Sequence, residues 1–203
     1  MATPAALLER YVEAKDLVRP HLMAAIYAPD AVLTYSIATD AIDFPAEVRG
    51  VEGITRTLVS DFALKFDRCR TYYVCDVPPV ETVGVAELPW LVVMREPAHS
   101  LLRMGRGFYR WTFQPAAEGV RIAAMHIHIE RMDPIDDPGA RLLERVQAPL
   151  PYPWLSPAVL DACFADLAAR EAALQFLPAF RVPVDPAAIP LADAHRASAG
   201  RAG

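Results

Sequence analysis

Residues 119–132, GVRIAAMHIHIERM, place two histidines and a glutamate on alternate positions, with methionine and isoleucine between them. A period of two belongs to a β-strand, whose successive side chains leave opposite faces. His126, His128 and Glu130 therefore share one face, and Met125, Ile127 and Ile129 the other. Three earlier runs have the same strand character: RCRTYYVCDV (68–77), LPWLVVMRE (88–96) and LLRMGRGFYRWTF (101–113). Breaks rich in proline, glycine and glutamate separate them, so the four runs predict an antiparallel meander.

Upstream the period lengthens. Leu7, Leu8, Tyr11 and Val12, then Leu22, Met23, Ile26 and Tyr27, recur at three- and four-residue steps and predict one or two amphipathic helices before residue 30. AVLTYSIAT (31–39) reads as a strand, and residues 40–50 as an irregular segment with a short strand in EVRG. VEGITRTLVSDFALKF (51–66) carries Ile54, Leu58, Phe62 and Phe66 four apart, the mark of a single amphipathic helix. After Met132 the chain becomes proline-dense, with one good helix, AVLDACFADLAAREAALQFL (158–177), introduced by Ser156 and Pro157 as cap and first-turn residue. This divides the chain into a domain over 1–132, a helical proline-rich extension over 133–184 that packs on it, and a flexible tail over 185–203.

Bulk properties narrow the function. The chain has 203 residues, enough for one well-buried core, and 54% hydrophobic content is that of a folded protein rather than a disordered one. A net charge of −5 without a basic run excludes the phosphate-neutralising surface of a nucleic-acid binder. No apolar stretch approaches the roughly 18–20 residues of a membrane span, and MATPAALLERYVEAKD lacks a signal-peptide pattern, so a cytoplasmic location is expected. Cys69 and Cys75 lie six apart on one expected strand, too distant to pair, and Cys163 falls among helical alanines and leucines.

Helices, one strand, a further helix and then four long antiparallel strands is an order that resembles the nuclear transport factor 2-like superfamily. AAIYAPDAVLTYS (24–36), VRGVEGITRTL (48–58) and GVRIAAMHIHIE (119–130) are similar to its helix end and first strand, its glycine before the middle helix, and its last strand. The resemblance covers residues 5–132 and implies an α+β fold. A curved antiparallel sheet forms a cone-shaped α+β barrel packed on N-terminal and middle helices, and the helical proline-rich extension is added to it. Members include ketosteroid isomerase, scytalone dehydratase and the SnoaL-like polyketide cyclases, and the family also hosts non-catalytic assembly domains. It therefore implies a cavity rather than one reaction.

If QPAAE (114–118) forms the last hairpin loop, Gly107 falls opposite His126, Gly105 opposite His128 and Arg103 opposite Glu130. Tyr109 and Trp111 then wall the same face, and the glycines leave room for a guest. On that reading His126 and His128 shuttle protons and Tyr109 stabilises a developing oxyanion. Tyr35, Arg103, Trp111 and Glu130 complete the substrate-binding set. The other parity leaves Met125, Ile127 and Ile129 under the helices and sends both histidines to the outer face, where a second copy or the extension covers them. His-x-His is also a zinc spacing, but a third ligand has no fixed place, so neither metal nor cofactor is expected.

The functional expectation is a SnoaL-like small-molecule pocket protein acting as a cofactor-independent lyase, isomerase or cyclase on an apolar carbonyl compound. The alternative is a non-catalytic ligand-binding or homodimeric assembly module, and a metal-dependent enzyme is a third. Expected partners are a small molecule and a second copy of the chain, with no nucleic acid and no membrane.

Overall fold

The computed structural model describes residues 3–79, 84–117 and 119–189. Helix α1 (Pro4–Asp16) begins where Thr3 Oγ1 accepts from the Ala6 amide at 3.2 Å and Pro4 takes the first turn. Its buried stripe is Leu7, Leu8, Tyr11, Val12, Ala14 and Lys15. A 3-10 turn (Pro20–Ala25) leads to strand β1 (Tyr27–Ile37), which starts four residues earlier than its β-branched run suggests. Strand β2 (Glu47–Arg49) precedes the middle helix.

That helix is not uniform. It runs as α2 (Val51–Thr55), a π-helical turn (Arg56–Ser60) and α3 (Asp61–Ala63), with Ile54, Leu58 and Val59 buried. The wider turn breaks the four-residue repeat, and Phe62 is only partly buried. Strands β3 (Asp67–Val74), β4 (Gly84–Glu96), β5 (Leu101–Ala116) and β6 (Gly119–Asp136) form the expected meander. Beyond them lie α4 (Arg141–Gln147), β7 (Trp154–Leu155) and α5 (Pro157–Arg170).

All seven strands join one curved, unclosed sheet in the order β2-β1-β6-β5-β4-β3-β7. Strand β1 runs parallel to β6, and β7 parallel to β3. The inner face, with Trp90, Val92, Tyr109, Trp111, Met125 and Ile127, packs on α1 and the middle helix in one core. The outer face, with Tyr72, Val74, Leu91, Val93, Leu102 and Met104, packs on Leu143, Phe164 and Phe180 of the extension in a second. Because both faces of the middle strands are buried, Tyr72–Val74 and Leu91–Met94 read as unbroken apolar runs.

The extension is tied down by polar contacts as well. Asp137 accepts from the Leu142 and Leu143 amides at 3.1 and 3.0 Å, and Gln147 Nε2 donates to Arg68 O and Val93 O at 2.8 and 2.9 Å. Ser156 Oγ accepts from the Val159 amide, so the expected cap is present. Residues 185–189 hold a short 3-10 turn (Pro186–Ala188), and the remainder of the expected tail lies outside the described residues. Among the described residues no helix is long and apolar enough to cross a membrane.

Truncation after Asp136 should therefore expose six apolar side chains of the outer face, each worth roughly 1.5–3 kcal/mol when buried. The expected outcome is an aggregating chain that binds an apolar dye in its soluble fraction. A soluble truncated chain that binds none would show that this face needs no cover.

Candidate functional site

The faces of β6 decide where a site can be. Met125, Ile127, Ile129 and Met132 belong to the inner core, so His126 and His128 project from the outer side of the sheet. The expected hairpin register is corrected accordingly. Tyr109 lies opposite Ile127, Trp111 opposite Met125, and Gly107 opposite Ile129. Arg103 faces Pro134 rather than Glu130. Tyr109 and Trp111 thus stand across the sheet from the histidines, while Tyr35, paired with Ile127 across β1 and β6, shares the inner face with Tyr109.

The space left by the glycines is already filled. A Cβ on Gly105 would meet the end of Met132, and one on Gly107 would meet the Trp90 ring, so these neighbours occupy the room that a guest was expected to use.

Inside the cone a cavity of about 40 Å³ remains, bounded by Tyr11, Lys15, Tyr35, Trp90, Phe44 and Phe62 among others. A depression of about 490 Å³ at the mouth is lined by Asp40, Asp43, Lys65, Glu96 and Arg103. Ile42, Phe44 and Phe62 border both spaces and so form the partition between them. Phe44 stacks on Tyr35 with ring centroids 4.7 Å apart. The inner space admits about one water. A larger guest has to move Phe44 and Ile42 of the irregular 38–46 segment. A further depression of about 570 Å³ beside Pro20, His21 and Glu52 is shallow, and none of its described side chains holds an orphaned buried polar atom.

The cavity wall is rich in donors. The hydroxyls of Tyr11 and Tyr35 and the indole N–H of Trp90 are buried without a hydrogen-bond partner. Burial first, then the neighbouring Tyr109, pushes the Tyr11 phenol well above its ordinary range; burial also raises Tyr35, against the Lys15 charge. Tyr109 is raised by burial and then by Asp16. All three phenols stay protonated.

Lys15 reaches the same wall from the buried face of α1. Its ammonium lies 3.0 Å from Asp16 Oδ1, 2.9 Å from Thr71 Oγ1 and 3.3 Å from Cys69 Sγ, and 4.7 Å from the Phe62 ring centroid. Burial opposes its charge, but Asp16, then Cys69 and Tyr11, outweigh that and raise its pKa. Asp16 in turn accepts from the Thr71 amide at 2.6 Å, from Thr71 Oγ1 at 3.0 Å and from Tyr152 Oη at 3.1 Å. The extension thereby touches the ion pair that borders the cavity.

Of the residues expected to bind substrate, Tyr35 lines the cavity and Arg103 the mouth. Trp111 is fully buried edge-on to Tyr11 at 5.0 Å, and Glu130 is on the outer face beside His128. The basic set has ordinary partners: Arg95 pairs with Asp67, Arg110 with Glu87, and Arg106 donates to Val182 O. Arg103 lies 3.2 Å from Glu96 Oε2. Sequence reasoning missed Lys15, Asp16, Tyr11 and Trp90. The legible signal was Lys15 itself, a charge four residues after Tyr11 on the apolar stripe.

Solved structures share this arrangement. A nuclear transport factor 2-like superfamily protein from Salmonella enterica serovar Typhimurium superposes with a TM-score of 0.50 at 18% identity, covering 61% of this chain and 85% of that one. The chain has the nuclear transport factor 2-like fold. LinA superposes on this NTF2-like chain with a TM-score of 0.53 at 14% identity, covering 64% and 84% of the two chains. A protein from Kribbella flavida gives 0.51 at 14% identity, covering 68% and 92%. About a third of the NTF2-like chain is thus without a counterpart in these three, which cover 61–68% of it. No family model and no curated protein matches the sequence.

Proposed function

We propose that the chain is a small-molecule pocket protein whose cone takes an apolar compound bearing a carbonyl or similar acceptor oxygen. The observation that carries this reading is the set of three unpartnered donors, on Tyr11, Tyr35 and Trp90, in one apolar cavity. A buried donor without a partner costs about 1–3 kcal/mol, and a ligand oxygen removes that cost. No carboxylate or imidazole lines the inner cavity among its described residues, so the ligand supplies the acceptor and the protein the protons.

The chemistry this wall supports is polarisation of a carbonyl. Protonated phenols strengthen their hydrogen bonds to a ligand oxygen as it gains charge, so the wall holds and polarises a bound carbonyl. The guest enters from the mouth and displaces Phe44 and Ile42, exchanging their apolar contacts for its own.

Titration with apolar ketones and phenols, followed by the quenching of tryptophan fluorescence that is lost in a Trp90→Phe variant, tests the reading. Tyr35→Phe and Tyr11→Phe should each weaken binding about tenfold while leaving the free protein unchanged or more stable by roughly 1 kcal/mol, since an unsatisfied hydroxyl is removed. Variants that bind as tightly as the parent, or that lose stability, would show that these hydroxyls have partners other than a ligand.

A further inference from the structure

His126, His128 and Glu130 of β6 belong to a separate construction on the outer face. The parallel pairing of β1 with β6 sets Thr34 beside His126 and Ser36 beside His128. Thr34 Oγ1 lies 2.8 Å from His126 Nδ1, Ser36 Oγ 2.9 Å from His126 Nε2 and 2.8 Å from His128 Nδ1, and His128 Nε2 3.1 Å from Glu130 Oε2.

The proton positions follow from the carboxylate. Glu130 only accepts, so His128 carries its proton on Nε2 and presents a lone pair at Nδ1. Ser36 gives its single proton to that lone pair and accepts from His126 Nε2–H. His126 Nδ1 then accepts from the Thr34 hydroxyl. Every group is satisfied in one direction, and the order at the centre is hydroxyl, imidazole, carboxylate, that of an activated nucleophile with its base and orienting acid.

The rings are held in place. Phe108 stacks on His128 with centroids 5.0 Å apart and planes 26° apart. Burial, then His128 and Arg110, pushes His126 down to about 4, so it remains a neutral donor to the serine. Arg110, opposite His126 on β5, adds a guanidinium to this face. Ser36 itself remains partly exposed.

We infer that Ser36 is a nucleophile that accepts acyl groups from small activated esters, at a second site independent of the cone cavity. Ser36 Oγ attacks the ester carbonyl and its proton passes to His128 Nδ1. The C–O bond to the leaving alcohol breaks, and the alcohol takes that proton away. Water then attacks the acyl-serine with His128 as base, releasing the acid and restoring the hydroxyl. His126 Nε2–H steadies the serine oxygen while it is charged.

The test is incubation of the full chain with p-nitrophenyl acetate, with nitrophenol release followed optically and the acetyl group located by peptide mass mapping. The expected result is a burst of one nitrophenol per chain, with the acetyl group on Ser36. Glu130→Gln should slow acylation at least about tenfold and His128→Ala about a hundredfold. Ser36→Ala should abolish the burst while leaving ketone binding in the cavity unchanged. An acetyl group elsewhere in the native chain, or acylation of Ser36 no faster than in the urea-unfolded chain, would overturn the inference. The wild-type map decides the matter even if a variant does not fold.

Discussion

Gly107→Ala is expected to abolish folding or to cost more than about 3 kcal/mol, at the top of the range for overpacked cores. An added Cβ would lie far inside contact distance of the His128 carbonyl oxygen and within 2.7 and 2.9 Å of Trp90 Cζ2 and Cε2. A carbonyl on a paired strand cannot retreat without breaking the β5–β6 ladder, and Trp90 is itself buried against Tyr109, with ring centroids 5.6 Å apart. Gly105→Ala is the internal control. Its Cβ would meet the terminal atoms of Met132, with Val92 Cγ1 at 3.1 Å, and a methionine end can swing aside. A cost of about 1 kcal/mol is expected there. Urea denaturation of the two variants side by side checks the contrast. Similar midpoints would mean that strand β6 yields more readily than a paired backbone should.

The second large effect concerns the ion pair under α1. Asp16→Ala should cost about 3–5 kcal/mol, because it leaves the Lys15 ammonium buried with no carboxylate. Lys15→Met should cost less, about 1–3 kcal/mol, because Asp16 still accepts from the Thr71 amide, the Thr71 hydroxyl and Tyr152. The asymmetry is the informative part and is read from denaturation midpoints of the two variants. If Lys15→Met proved the more damaging, the ammonium rather than the carboxylate would be the hub of the cluster.

Much of the architecture could be read from residue order. The alternation in MHIHI marks a strand and sorts its side chains into two faces, and the four-residue spacing of Ile54, Leu58 and Phe62 marks the middle helix. Which face looks inward was not legible, and the reason is local. Strands β5 and β6 pair almost to their shared turn, with Ala116 opposite Gly119, and the register slips by one residue between Phe113 and Thr112. That single extra residue carries Tyr109 from the histidine side to the isoleucine side. A bulge leaves no mark in composition or period, so the tyrosine and the histidines were expected together. The donor wall was missed for another reason. Tyr11 and Trp90 look like ordinary core aromatics, and only their place on the cavity wall together with their unpaired polar atoms distinguishes them.

The rims of the sheet carry one more consequence. At one side the outermost strand has three residues, Glu47–Arg49, with Glu47 and Arg49 paired to each other; at the other it has two, Trp154–Leu155. Such stubs offer a newcomer almost no free row of amides and carbonyls, which protects the fold against accretion strand by strand.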